Sequence, residues 1–312
     1  MKFNTNNLSP VVVFAYNRPE HLRSTLFSLK ENILAISTDV YVFVDHPKNE
    51  KDISNVSAVI AVVEEFKSNF KTFSVTCRTE NYGLAKNISE GVSEIVRVNG
   101  KVIVLEDDLL LSKYFLVYMN AALRLYEHND KVMHISGSSY PIINKLLNSN
   151  TYFLRVPLCW GWATWDDRWA RFNNDIENNQ LSKAEKNIID FGGAYRYSEQ
   201  FEQNKNGIKK TWFIFWYLTL IRHGGLALFP KYSLVNNIGH DGSGENCIES
   251  QDYSVDLADS YKEITEEPVK ESFFIILLHL HFFLKSKPSL LYKINMIKRV
   301  LLRGVSNGWY KR

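Results

Sequence analysis

Apolar runs of strand length alternate with amphipathic stretches through the first 130 residues. Val11 to Tyr16 is one such run, with the length and β-branched content of a buried strand. Arg18-Pro19-Glu20 follows, where proline suits a first helical turn, and Leu22, Leu26 and Leu29 supply that helix's apolar face. Val40 to Val44 reads as a second strand ending at Asp45, residues 54–66 as a helix, and Thr72 to Cys77 as a third strand. A helix over 83–98, a strand over 102–105 and a helix over 113–127 complete the series. Strand and helix in strict alternation predict an α/β fold with a mostly parallel, doubly wound sheet flanked by helices.

Past residue 132 the alternation weakens. Residues 132–136 and 151–156 read as strands, 158–172 is rich in tryptophan, 182–203 is helical and polar, and 224–247 is rich in glycine with a strand near its start. The expected organisation is a domain over 1–265, with a regular half over 1–130 and an irregular half over 131–265, and then a helical tail over 266–312. There is no internal repeat and no low-complexity segment.

Composition adds little until charge is divided along the chain. A 45% hydrophobic and 23% charged content is ordinary for a globular protein of 312 residues. Cys77, Cys159 and Cys247 are odd in number and far apart, which supports neither a disulfide framework nor a zinc site and favours a reducing, cytoplasmic setting. No signal peptide is expected, nor any apolar stretch of the roughly 20 residues that span a bilayer. Residues 285–312 carry eight Lys or Arg and no Asp or Glu, leaving 29 basic against 34 acidic residues in the rest. The segment from Ser272 to Leu284 is too short to span. Beyond it, Leu290, Ile294, Ile297 and Leu301 share a helical face flanked by Lys293, Lys298, Arg299 and Arg303. That pattern suits a peripheral helix on the anionic inner face of the cell membrane; the plainer alternative is a helix docked on the body or on a second subunit. No nucleic-acid partner is expected.

Candidate chemistry gathers where strands end. The run over 102–105 stops in Glu106-Asp107-Asp108, and three adjoining carboxylates at a strand's carboxyl end call for a cation or a ligand carrying one, unless they form a solvated loop or the acidic first turn of the next helix. Asn17 and Arg18 place an amide and a guanidinium at the end of the first strand, where Arg can hold a phosphate or a base carbonyl, or simply cap a helix. The first turn has no glycine-rich phosphate loop. Asp45 ends the second strand and can accept a hydrogen bond from the imide of uracil, or serve as an ordinary turn residue. Lys86 and Asn87 lie in the first turns of the helix after Gly83, a place that attracts phosphate.

Taken together, Ala15-Tyr-Asn-Arg-Pro19, the strand ending in Asp45, Asn81-Tyr-Gly-Leu-Ala-Lys-Asn87 and Leu105-Glu-Asp-Asp108 resemble GT-A-fold glycosyltransferases. The likeness is to the inverting N-acetylglucosaminyltransferase I-like group and its bacterial relatives in surface-polysaccharide synthesis, over residues 10–250. It implies a GT-A-type Rossmann-like sheet and an inverting, metal-dependent transfer of a sugar from a nucleotide diphosphate sugar, such as a UDP-hexose or UDP-GlcNAc, to a glycan or lipid-linked glycan. By the same likeness Asp108 would hold Mn²⁺ or Mg²⁺, Glu106 and Asp107 would face the sugar and nucleoside, and Asp45 the base. Arg18, Lys86 and Asn87 would lie near the nucleotide or its phosphates.

Two further segments fit the same picture. The bacterial relatives carry a segment similar to Trp160-Gly-Trp-Ala-Thr-Trp165, so Trp160, Trp162 and Trp165 would wall the acceptor site, although core packing accounts for at least two of the tryptophans here. Three glycines within Gly239-His-Asp-Gly-Ser-Gly244 make a mobile loop, either a plain flexible one or one whose closure brings His240 and Asp241 at its base to a metal or phosphate, and the likeness suggests a lid over the donor. The relatives have an Asp base before a tryptophan where this chain has Lys209-Lys-Thr-Trp212. The base would then be Asp241, Glu245 or Asp167. A non-catalytic nucleotide-sugar or glycan scaffold is the competing reading, and a nucleotide-sugar pyrophosphorylase the next.

Overall fold

The computed structural model describes residues 3–142, 144–176, 179–242 and 254–284. Its first strands and helices are β1 (Val11–Ala15), α1 (Pro19–Lys30), β2 (Asp39–Val44), α2 (Ile53–Glu65), β3 (Thr72–Cys77), α3 (Gly83–Asn99) and β4 (Lys101–Glu106). After them come β5 (Leu109–Leu111), α4 (Phe115–Leu125), β6 (Val132–Ser136), β7 (Thr151–Leu154), β8 (Trp162–Trp165) and α5 (Asp166–Trp169). The chain continues through α6 (Lys183–Ile189), α7 (Tyr197–Lys205), α8 (Phe213–Arg222), β9 (Leu226–Pro230), β10 (Val235–Asn237) and α9 (Phe273–Leu284).

An eight-stranded sheet in the order β3-β2-β1-β4-β8-β6-β9-β7 forms the centre. The strands β3, β2, β1 and β4 are mutually parallel, as the alternating pattern requires, because a parallel neighbour can be reached only through a crossover. Their carboxyl ends therefore lie side by side. Val11, Val13, Val40, Val42, Ile103 and Leu105 face α1 and α2 in one apolar cluster, while Val12, Phe14, Phe43, Val102 and Val104 face α3 in the other. Both faces are covered, which is why these strands read as continuous apolar runs.

The irregular half is not a separate layer. Its strands extend the same sheet: β8 runs antiparallel to β4 and β6, β9 runs parallel to β6, and β7 is antiparallel to β9. The predicted polar helix over 182–203 divides into α6 and α7, because Phe191-Gly192-Gly193 makes a turn with Gly192 at φ 70°. Ser182 and Glu185 close a capping box at the start of α6.

The first part of the expected tail is docked on the body. Helix α9 buries Ile275, Ile276, Leu278, Leu280, Phe283 and Leu284 in the core cluster that also holds Trp216 and Phe229. A buried ion pair between Arg155 and Glu271 ties down the segment just before it. Among the described residues no helix is long and apolar enough to cross a membrane. The eight basic residues of 285–312 lie outside the described residues.

Candidate functional site at the carboxyl edge of the sheet

The parallel register sets the site. Ala15 pairs with Val44, Val44 with Cys77, and Phe14 with Glu106, so the residues that follow these strand ends meet at one edge. Those residues are Asn17 and Arg18, Asp45, Arg78, and Asp107 with Asp108. Arg78 was not singled out from sequence, although it holds the same strand-end position as Asp45 and Asp107.

Arg18 precedes Pro19, which disfavours helical backbone at the residue before it, and its φ of −118° and ψ of 77° keep it outside α1. Its guanidinium reaches the acidic turn and pairs with Asp107 and, at 2.9 Å, with Asp108. Helix α1 also fixes the backbone there. The Thr25 hydroxyl donates to the Asp107 carbonyl at 2.7 Å and accepts the Leu109 N–H at 3.0 Å. Burial pushes the Glu106 carboxyl up to about 8, aided by the charges of Asp108 and Asp107 and opposed by Arg18. Burial likewise raises Asp107 to about 6, with Arg18 pulling the other way. Burial thus biases Glu106 toward its protonated form, and Arg18 is the resident counter-charge of the other two acids.

A second segment closes on this turn from far along the chain. Strand β10 pairs antiparallel with β5, and the Ile238 N–H donates to the Asp108 carbonyl at 2.9 Å. Gly239 lies so near the acid that a Cβ there would collide with the Asp108 carboxylate. The chain then presents His240, whose ring meets the half-buried Trp160 edge-on at 5.4 Å. Asp241 pairs with His21 of α1 at 3.1 Å. His21 was also not anticipated.

On the other flank, Asp45 is a loop anchor. Its carboxylate accepts the backbone N–H groups of His46, Tyr82 and Gly83 at 2.9, 2.9 and 2.8 Å, which fixes the entry to α3. Any contact with a base would share oxygens already in use. Arg78 lies between the rings of Phe43 and Tyr82, at 4.6 and 4.8 Å from their centroids, and its Nε donates to Asn87. Asn87 is thereby buried as a holder of Arg78. Its Nη2 is buried without a hydrogen-bond partner among the described residues. Lys86 is exposed above Tyr82, 3.7 Å from the ring centroid. Asn17 turns to Asp52 at the head of α2, donating at 3.0 Å, so it supports the loop and not the acids.

The structure removes several expected site residues. Trp162 and Trp165 are core residues, 0% and 2% exposed, and cannot stack on a sugar. Trp162 lies 5.4 Å from the His134 ring and 5.0 Å from Trp212, both stacked. Gly161, at φ 63°, breaks the extended backbone that would have set Trp160 and Trp162 on opposite faces. Trp160 alone of the three is at the site. Asp167 follows Trp165, which pairs with Lys101 at the amino end of β4. It is thus at the opposite edge of the sheet from Glu106 and cannot act as base there. Glu245 lies outside the described residues.

Among the described residues no group of three or more His, Cys, Asp and Glu side chains forms a metal cage. The donor set still fits a hard divalent cation. Mg²⁺-type ions are commonly held by one or two carboxylates together with a substrate's phosphates, and Asp107 and Asp108 supply that number.

No family pattern matches the sequence, and no curated protein matches it. Solved structures give weak likenesses. TarS of S. aureus aligns at 14% identity and TM-score 0.37 over 60% of this chain and 33% of its own. The galactosyltransferase LgtC, solved with donor and acceptor sugar analogues, aligns at 10% identity and TM-score 0.35 over 70% of this chain and 72% of its own. Glucosyl-3-phosphoglycerate synthase of Mycobacterium tuberculosis, solved with Mn²⁺, UDP and glucosyl-3-phosphoglycerate, aligns at 13% identity and TM-score 0.32 over 51% of this chain and 57% of its own. The chain thus matches about a third of TarS. Scores of this size do not assign it to any of these enzymes' families.

Proposed function

We propose that the chain is a metal-dependent, inverting glycosyltransferase that moves a sugar from a UDP-sugar to a glycan acceptor in bacterial surface-polysaccharide synthesis. The observation that supports this most is the meeting of Arg18, Arg78, Asp107, Asp108 and the 238–241 segment at one edge of a parallel sheet. A nucleotide diphosphate is commonly held by cationic side chains and by a metal on one or two carboxylates, and this edge offers the cations and the carboxylates that would hold such a metal. Asp108 would hold Mn²⁺ or Mg²⁺, with Asp107 beside it. When bound, the ion would neutralise the developing charge of the departing diphosphate.

This chain's own residues would do the rest. Arg18, which pairs with Asp107 and Asp108 when no ion is bound, would supply positive charge to the phosphates. Lys86 and Arg78 supply further positive charge at the entry to α3. The Asp45 loop would shape the base pocket, and Trp160 with His240 would form a wall at the sugar. Asp241, paired with His21, would be the base that takes the proton of the acceptor hydroxyl. Residues 285–312 would hold the enzyme peripherally on the inner membrane face through their basic charge.

A binding scaffold without turnover is the second reading. It is favoured by Lys210 in the position where the resembled group has its base, and by Arg18 already neutralising the acids. A panel of nucleotide sugars with mass spectrometry of the products separates the two. Metal-dependent UDP release with sugar transfer to a glycan supports the transferase; UDP binding with no turnover on any donor supports the scaffold.

A further inference from the structure

Between α4, the end of β9 and the 254–264 strap lies a shallow, open recess. Tyr118, Asn150, Lys231, Tyr232, Tyr261 and Lys262 are among its lining residues. Its enclosed space is only about 30 Å³, so a ligand would lie across its mouth and not inside it. Tyr118 is only 2% exposed, yet its hydroxyl has no hydrogen-bond partner among the described residues. A buried hydroxyl left unpaired is costly, and burial also raises its pKa well above that of an ordinary tyrosine, so it stays a neutral donor. Lys231 gives one proton to the Leu147 carbonyl, and an ammonium has two more to offer. Lys262 is exposed at the rim. No carboxylate is among the lining residues, although Glu263 is near enough for its charge to act on the lining Tyr261.

The recess is joined to the acidic site by one extended segment. Leu234 lines it, and Gly239 lies against Asp108. Five residues of extended chain span at most about 17 Å, a distance an oligosaccharide can bridge. We propose that the recess is an acceptor subsite for an anionic sugar residue, a uronic acid or a phosphorylated sugar, with the two ammonium groups taking the anion and the tyrosines and Asn150 taking ring and hydroxyls. This assignment rests on the glycosyltransferase reading.

The test is direct binding to the full chain, by calorimetry and saturation-transfer NMR, of methyl glucuronide, glucose 6-phosphate and neutral methyl glucoside. At least one charged probe should bind saturably, about tenfold more tightly than the glucoside, and which one binds identifies the anion. Lys262→Ala and Tyr118→Phe should each weaken that probe by about three- to tenfold while leaving UDP binding unchanged. Asp108→Asn should leave the probe's affinity untouched. The subsite is overturned if neither charged probe saturates, if the glucoside binds equally well, if both variants bind as wild type does, or if Asp108→Asn abolishes binding. Failure of the glycosyltransferase reading shows separately, as loss of metal-dependent UDP binding in the protein without probes.

Discussion

Strands β1 to β4 and strands β6 to β9 belong to one sheet but place their polar and aromatic residues differently. In the first set the charges are carried to the carboxyl edge: Arg18, Asp45, Arg78, Asp107 and Asp108 each follow a strand end. In the second set the chemistry-bearing types are buried. Trp162 is stacked between His134 and Trp212, Trp169 stacks on Phe172 at 4.4 Å, and the Trp216 indole donates to His134 at 3.1 Å. One half of the sheet is organised around an edge and the other around an aromatic interior. A residue type that suggests binding in isolation can therefore be a packing element, and a turn residue can be the site.

The sharpest way to break this comparison is Trp162→Ala. Removing a fully buried indole should cost about 3–5 kcal/mol, read by denaturant unfolding, and a loss under about 1 kcal/mol would return Trp162 to the site. Asp45→Ala comes next. A carboxylate accepting three backbone N–H groups should cost about 1.5–3 kcal/mol, with looser UDP binding as the entry to α3 relaxes. Unchanged stability with weakened UDP binding would instead make Asp45 a base contact alone.

The smallest effect is a pH dependence in the aromatic half. Burial lowers His134 to about 3 and His279 to about 4, against an ordinary value of 6.5. Their folded-state pKa values lie below the unfolded ones, so the neutral rings stabilise fully above pH 6.5, and that contribution is lost as pH falls toward the folded values. The loss should approach about 1 kcal/mol per histidine per pH unit. Glu106 and Asp107 act in the opposite sense, because their pKa values are raised. His279→Asn, which keeps a donor for the Ile275 carbonyl, should flatten the fall between pH 6.5 and 5 relative to wild type. An identical slope in the variant would show that His279 does not contribute.

The regular half was legible because parallel strands covered on both faces leave an unmistakable apolar run. Their shared edge followed from the alternation, so Arg18 and the acids could be named together. Arg78 and His21 escaped because neither sits in a distinctive motif; each is brought to the candidate site only by what the fold sets beside it. The tryptophan segment misled for a physical reason. An indole serves stacking and burial equally well, and only the positive φ of Gly161 and the pairing of β8 with β4 decide which. Likewise the apolar run over 272–284 reads the same for a lipid surface as for a protein core. Its docking depends on Tyr140, Tyr152 and Phe191, which lie far away in sequence.

The proposed site turns on Asp108 as the carboxylate that would hold a divalent ion beside the diphosphate of UDP. Calorimetric titration of UDP in the presence of Mn²⁺, and again with chelator, tests it in wild type and in Asp108→Asn. The account predicts metal-dependent UDP binding in wild type and its loss in Asp108→Asn, with both proteins unfolding at similar denaturant concentrations. Equal UDP affinity with and without metal, or a folded Asp108→Asn protein that binds as wild type does, would contradict it.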